Sequence, residues 1–398
     1  MFDTVSKITS NGLRTHRAGR RRVLVLFGTR PEAIKLAPVI HELRKRSFDA
    51  IVVSSSQHKQ LLRPFLESLD IQIDHDLSVM KRNQSPNDVC SRVMTKLDRI
   101  LAAERPDLIL VQGDTTTTLA GALAAFNRRI PVGHIEAGLR SGDLMSPFPE
   151  EMNRRVVSQM AAFHFAATEE NRRNLLSEDV ASEKIFVTGN TVVDSLHAML
   201  AGLTPSADVS DLLRSTNGMK RLLLTTHRRE SFGSTMESNL RILRQFVERH
   251  EDVCLLFPVH PNPNVKSIAG ELLGGHERIH LLGPLDYSDF LAIMRGSWMI
   301  VSDSGGVQEE APSLGKPLLV LRENTERPEA IQAGISKLVG GRPGALRHLL
   351  ESNYATETWI RSVQQIANPF GDGRSAARIV SIIEEKLAVA PNTVALAA

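Results

Sequence analysis

The chain has 398 residues, more than one ordinary domain needs and enough for two. Its 42% hydrophobic and 23% charged content is that of a globular protein, and no apolar run approaches the roughly 20 residues a membrane-spanning helix needs. The net charge of +3 is misleading: Lys7, Arg14, Arg17, Arg20, Arg21 and Arg22 against Asp3 give the first 22 residues +5, leaving −2 for the rest, which excludes an extended nucleic-acid-binding surface. Residues 1–21 therefore read as a basic, disordered leader, with no apolar stretch of the kind a secretory signal carries. Cys90 and Cys254 stand too far apart for metal-ligand spacing, which predicts no metal site and favours a reducing cytoplasm.

Val23–Phe27 is a continuous apolar run and predicts the first buried strand of a parallel sheet. Gly28-Thr29-Arg30-Pro31-Glu32 follows, then a helix from Ala33 to Lys45. Further strands are predicted at Ala50–Ser54, Leu108–Val111, Val132–Ile135, Phe163–Ala166 and Ile185–Val187, with helical stretches between them. Strands alternating with helices imply a parallel sheet covered on both faces. Residues 203–218 are rich in Pro, Ser, Asp and Gly with little periodicity and read as a linker. The alternation then restarts at Leu222–Leu224, Cys254–Phe257, Ile279–Leu282, Trp298–Val301 and Leu318–Leu321. The expected fold is α/β, two Rossmann-like domains with parallel sheets facing a cleft. The boundaries are 22–200 for the first domain, 201–219 for the linker and 220–370 for the second. Residues 371–388, with an amphipathic helix from Ser375 to Leu387, return to the first domain, and 389–398 form a tail.

The stretch SDSGGVQEEAPSLGKP, residues 302–317, follows a predicted strand. Gly305 and Gly306 let backbone N–H groups approach an anion at the start of a helix, Ser304 can donate to a phosphate oxygen, and Glu309 or Glu310 can accept from a sugar diol. The other chemistry-bearing residues also follow strands. Arg30 and Lys35 lie in GTRPEAIKLAP, Asp114 in QGDTTTTLA, Glu136 in HIEAGLRSGD, Glu150 in SPFPEEMNRR, His227 in TTHRRESFG and His260 in FPVHPNPNV. Arg327, in TERPEA, follows the strand taken as the last of the sheet. Singly each has a structural explanation: Asp114 fits a helix N-cap, Glu150 a first-turn charge, His260 a satisfied core histidine. Jointly they do not, because charges at strand ends are costly unless they meet a ligand or one another.

These motifs, in this order, resemble the non-hydrolysing UDP-N-acetylglucosamine 2-epimerases from Arg22 to the GDGRSAARI stretch. The resemblance implies the two-domain fold of the GT-B glycosyltransferases with UDP in the cleft, and interconversion of UDP-N-acetylglucosamine and UDP-N-acetylmannosamine for bacterial surface polysaccharides. It assigns Asp114, Glu136, Glu150 and His227 to catalysis. It assigns Arg30, Lys35, Phe290, Ser304, Gly305, Gly306, Glu310 and Arg327 to the sugar nucleotide. Gln57, His58, Gln60, Arg154 and His260 match positions where some members bind a second, activating UDP-N-acetylglucosamine. Asn83 stands where such members can carry arginine, and Thr226 stands where the family often has glycine. A homodimer is implied.

The hydrogen on carbon 2 of the sugar is not acidic. The resemblance implies elimination of UDP with loss of that proton, giving a bound 2-acetamidoglucal, then re-addition after protonation of the other face. Such a route needs cations and N–H groups for the leaving diphosphate and more than one acid–base group. It requires no redox cofactor, and GxGxxG is absent from the first strand–turn. A GT-B glycosyltransferase using a UDP-sugar would share the phosphate turn without needing three carboxylates. A 2-epimerase of a modified UDP-sugar, such as a 2,3-diacetamido uronic acid, would share all of it. A hydrolysing 2-epimerase fits the motif set less well. A UDP-sugar sensor would have shed the acid–base groups that are present.

Overall fold

The computed structural model describes residues 20–46, 48–56, 66–67, 69–81, 84–226, 233–340 and 342–389. The first lobe runs β1 (Arg21–Phe27), α1 (Arg30–Lys45), β2 (Phe48–Ser54), β3 (His75–Asp76), α2 (Pro86–Glu104), β4 (Leu108–Gln112), α3 (Thr116–Asn127), β5 (Val132–Ala137), α4 (Glu150–Met160), β6 (Phe163–Ala166), α5 (Glu169–Ser177), β7 (Ile185–Val187) and α6 (Thr191–Ala201). After α7 (Ala207–Ser215) come β8 (Lys220–Thr225), α8 (Ser234–Arg249), β9 (Val253–Pro258), α9 (Pro263–Leu273), β10 (Ile279–Leu282), α10 (Tyr287–Gly296), β11 (Met299–Ser302) and α11 (Gly305–Glu310). Then follow β12 (Leu318–Val320), α12 (Pro328–Gln332), β13 (Ser336–Leu338), α13 (Pro343–Thr356), α14 (Thr358–Val363) and α15 (Ser375–Val389).

The strands form two sheets, ordered β3-β2-β1-β4-β5-β6-β7 and β10-β9-β8-β11-β12-β13. Every pairing is parallel. The expected two-lobed α/β architecture is present. Val23 to Phe27 are buried to 1% exposure or less, as expected for a strand covered on both faces. Strand order reverses between β1 and β4 in one sheet and between β8 and β11 in the other. In open parallel sheets, ligands settle beyond the carboxyl ends of the strands at such points.

The expected linker is more ordered than its composition suggested, since α7 lies inside it. Ser206 caps α7 at the Val209 N–H, and Asp289 of α10 holds Ser206 through its N–H at 2.7 Å and its hydroxyl at 2.8 Å. β13 was not anticipated, so Arg327 does not follow the last strand of its sheet; it follows β12, and β13 adds to the edge beyond it. α15 packs on α1 and α6 of the first lobe, as expected. The Asp194 carboxylate accepts from the backbone N–H groups of Ser375 at 3.2 Å and Ala376 at 2.8 Å, capping α15 from another helix. One apolar cluster is continuous across the lobes, joining Val192, Leu196 and Phe370 to Val307 and Ala311.

Candidate active site

A cavity of about 580 Å³ lies between the lobes. From the first lobe it is lined by Arg30, Lys35, Gln112, Asp114, Glu136, Glu150 and Arg154, and from the second by Tyr287, Phe290, Ser304, Gly305, Gly306, Glu310 and Arg327. All the sequence-predicted residues that are described converge here except His260; Gln57, His58, Gln60 and His227 lie outside the described residues. His260 is exposed beyond β9 and does not line this cavity. A further cavity of about 630 Å³, beside Thr188, Asn368 and Arg378, contains none of the predicted residues.

On the first lobe, Glu32 organises the turn after β1. Its Oε2 accepts from the N–H groups of Gly28 at 3.1 Å and Thr29 at 2.8 Å, and its Oε1 from the Thr115 hydroxyl at 2.8 Å. This ties the β1 and β4 turns together. Gly113, at φ +71, turns the chain after β4, and Thr115 rather than Asp114 supplies the N-cap of α3. Asp114 is thereby freed from the capping role and pairs with Arg154, at 2.9 Å from Nε and 2.8 Å from Nη2. Arg154 is also bound to Glu151 at 2.8 Å. Glu150 opens α4 after Pro149.

Glu136 is held on both carboxylate oxygens. It sits at φ +64, where the β5–β6 register shifts between Ile135 and Ala137. A bulge of this kind re-aims a side chain that regular pairing would send into the sheet. Lys35 and the Asn190 amide, at 2.8 Å, meet Oε1, while the Gln112 amide donates to Oε2. Burial works against the charge of Glu136, but Lys35 and Arg327 outweigh it and hold the carboxyl well below its usual range. Burial likewise opposes the Lys35 ammonium, yet Glu136 and Glu309 keep Lys35 above its ordinary value.

On the second lobe, Gly305 leaves room for the Arg327 guanidinium: a Cβ there would fall 2.7 Å from Arg327 Nη1, and the arginine would have to shift. Arg327 donates from Nε to Glu309 at 2.6 Å, and Glu309 lies 3.0 Å from Lys35 Nζ across the cleft. Burial pushes Glu309 up, against the opposing pull of Arg327 and Lys35. Burial also raises Glu310 to about 7, and the Tyr287 hydroxyl donates to it at 2.8 Å. Arg30 of the first lobe stands 5.9 Å from the centre of the Tyr287 ring. Thr226 donates to the fully buried Asp303 at 2.9 Å.

Sequence reasoning did not single out Gln112, Asn190, Tyr287 or Glu326. Gln112 was visible as the neighbour of Gly113 in QGD, and Tyr287 as the residue three before Phe290 on one helix face. Asn190 and Glu326 carried no signal, because their partners are set by the fold. Chemically, the cavity joins the carboxylates, Arg30, Lys35 and Arg154 of one wall with Arg327 and a glycine turn from the other. That set can stabilise a departing diphosphate while moving protons.

The sequence profile of the family described as UDP-N-acetylglucosamine 2-epimerase matches residues 41–384. The Salmonella typhimurium protein named UDP-N-acetylglucosamine 2-epimerase is 45% identical over 369 residues, covering 91% of this chain and 98% of its own. The Neisseria meningitidis UDP-GlcNAc 2-epimerase bound to UDP-GlcNAc superposes with a TM-score of 0.86 at 42% identity, covering 92% of this chain and 100% of that one. The Staphylococcus aureus MnaA–UDP complex also gives 0.86, at 39% identity, covering 93% and 98%. The chain belongs to the UDP-N-acetylglucosamine 2-epimerase family.

Proposed function

We propose that this protein is an isomerase that interconverts UDP-N-acetylglucosamine and UDP-N-acetylmannosamine without hydrolysing them. The observation that carries the reading is the opposition, across one cavity, of Asp114, Glu136 and Glu150 to Arg327 and the Ser304–Gly306 turn. UDP seats on the second lobe, its diphosphate at the turn and near Arg30 and Arg327, its ribose at Glu310, and its base near Phe290. The carbon 1–oxygen bond breaks, the electron pair leaves with UDP, and a carboxylate of the first lobe takes the carbon 2 proton. A second acid–base group among Asp114, Glu136, Glu150 and His227 returns a proton to the opposite face before UDP adds back. Lys35 and Arg327 hold Glu136 ionised, the state a proton acceptor must start from, while lowering its affinity for the proton.

The setting we propose is a homodimer in a reducing cytoplasm, in the synthesis of surface polysaccharide precursors. The domain division stays at 22–200 and 220–370, with 371–388 returning to the first. A second UDP-N-acetylglucosamine as activator, at Gln57, His58, Gln60, Arg154 and His260, would make the rate sigmoidal in substrate. Arg154 in that role would have to share its pairing with Asp114.

The test is a proton NMR time course of the two anomeric signals, started from either sugar nucleotide. Both reactions should reach the same mixture with no free N-acetylmannosamine. Glu136→Gln should bind UDP nearly as the parent does and lose at least about 100-fold in turnover. Unchanged turnover would remove Glu136 from the mechanism, and free N-acetylmannosamine as the product would overturn the reading.

A further inference from the structure

We propose that Glu309 is a positioning residue: it ties Lys35 of the first lobe to Arg327 of the second, so that a nucleotide seated on α11 also sets the Glu136 carboxylate. The inference rests on Glu136 taking part in proton transfer. Glu309 is 1% exposed, with one carboxylate oxygen 2.6 Å from Arg327 Nε and the other 3.0 Å from Lys35 Nζ. Lys35 is in turn paired with Glu136. Beyond Arg327 the series continues to Glu326 at 3.5 Å and from there to Arg322 at 2.8 Å. Six side chains, each exposed by 9% or less, thus alternate in sign through the cleft, and the Lys35–Glu309 link is where the series crosses between lobes.

A buried ionic series is poor evidence for stability, since an apolar replacement is often as stable. Its use is directional. α11 carries Gly305 and Gly306 at one end and Glu309 and Glu310 at the other, within six residues. A ligand that fixes the turn fixes Glu309 with it, and through Glu309 the ammonium that meets Glu136. Gln112 and Asn190 hold Glu136 from its own lobe, while Lys35 and Arg327 are the cations that act on it and Glu309 the anion facing it. Asp114 and Arg154 line the same wall, paired with each other.

A second route joins the same two carboxylates through the backbone. Asn368 donates to the Glu309 carbonyl at 3.0 Å. Two residues on, the Phe370 carbonyl accepts from the Asn190 N–H at 2.6 Å, and the Asn190 side chain holds Glu136. The segment that carries the chain back to the first lobe is therefore fastened beside both carboxylates.

The test is a double-mutant cycle on the full chain with Glu309→Gln and Lys35→Met, read as kcat and KM on UDP-N-acetylglucosamine and as Kd for UDP. Glu309→Gln should lose about tenfold to 100-fold in kcat, the scale on which small misplacements act. Its UDP Kd should stay within about threefold of the parent or tighten, because an anion beside the nucleotide cations has been removed. In the Lys35→Met background the same change should cost less than about threefold more, since its route is already cut. An equal loss in both backgrounds, or UDP binding weakened in step with kcat, would overturn the proposal. If circular dichroism shows Glu309→Gln unfolded, Glu309→Asp carries the same cycle with the same two outcomes. A parent that does not interconvert the sugar nucleotides overturns the functional reading, whereas an active parent with an additive cycle overturns only the role of Glu309.

Discussion

Glu136 and Glu310 are both buried carboxylates on the walls of one cavity, and their neighbours drive them apart. Lys35 and Arg327 hold Glu136 down, while burial lifts Glu310 to about 7 against the hydrogen bond that Tyr287 donates to it. Environment divides the labour between like groups. For Glu310 the consequence is measurable. A raised folded value contributes stability that is complete below the usual 4.5 and is lost as pH rises through about 7. If the ionised form accepts from the ribose diol, UDP binding runs the other way and tightens about tenfold between pH 6 and 8. Calorimetric titration of parent and Glu310→Gln should show that dependence in the parent alone. The ionisation of the diphosphate is common to both proteins and cancels in the comparison.

At the scale of the element, β5 does two things. Its end bulges and delivers Glu136 to the cleft, while its middle places His134 opposite His164 of β6 in the sheet interior. Both histidines are fully buried, and burial lowers His134 to about 4 and His164 to about 3. Among the described residues, Nδ1 of His134 has no hydrogen-bond partner. Their folded values lie below the ordinary 6.5, so the unfolded chain takes up protons first. Their contribution is complete above about pH 6.5 and is lost as pH falls toward the folded values. The Tm of the parent should drop across that window. His164→Met should flatten the drop without lowering Tm at pH 7.5. A variant that melts as steeply as the parent would contradict this account of the sheet.

The same elements explain what could be read in advance. The buried strands were legible because five consecutive apolar residues such as Val23–Phe27 have few other uses. β3 and β13 were not, because His75-Asp76 and Ser336–Leu338 are too short to show a period. α7 was masked by turn-forming residues around a nine-residue helix whose anchor, Asp289, lies 83 positions away from Ser206. In the site, the residue types were legible and the pairings were not. Glu309 could be placed early in a helix, but its partners Lys35 and Arg327 belong to different lobes.

At the scale of the whole molecule, the lobes are held in relation by a chain that crosses twice and by side chains that meet across the gap. Thr168 of the first lobe donates to Glu329 of the second, while Arg46, paired with Glu384 at 2.9 Å, and Asp194, capping α15, fasten the returning helix to the first lobe. Because α15 closes over α1 and α6, its cap bears on the first lobe although it belongs to the end of the chain. Asp194→Ala should lower stability by about 0.5–2 kcal/mol, the range for loss of a helix N-cap, and leave UDP affinity within about twofold. Urea unfolding followed by circular dichroism measures the first and calorimetry the second. An unchanged midpoint would mean that α15 is held by its apolar face alone. The architecture as a whole has one chemical purpose in this account. In the reaction proposed above, carboxylates carried by the first sheet exchange a proton at carbon 2 while the second sheet holds the departed UDP.

Proton NMR of the reaction in deuterated water reads that event directly. UDP-N-acetylmannosamine formed from UDP-N-acetylglucosamine should carry deuterium at carbon 2. Product that retains the original hydrogen at carbon 2 would contradict the proposed reaction.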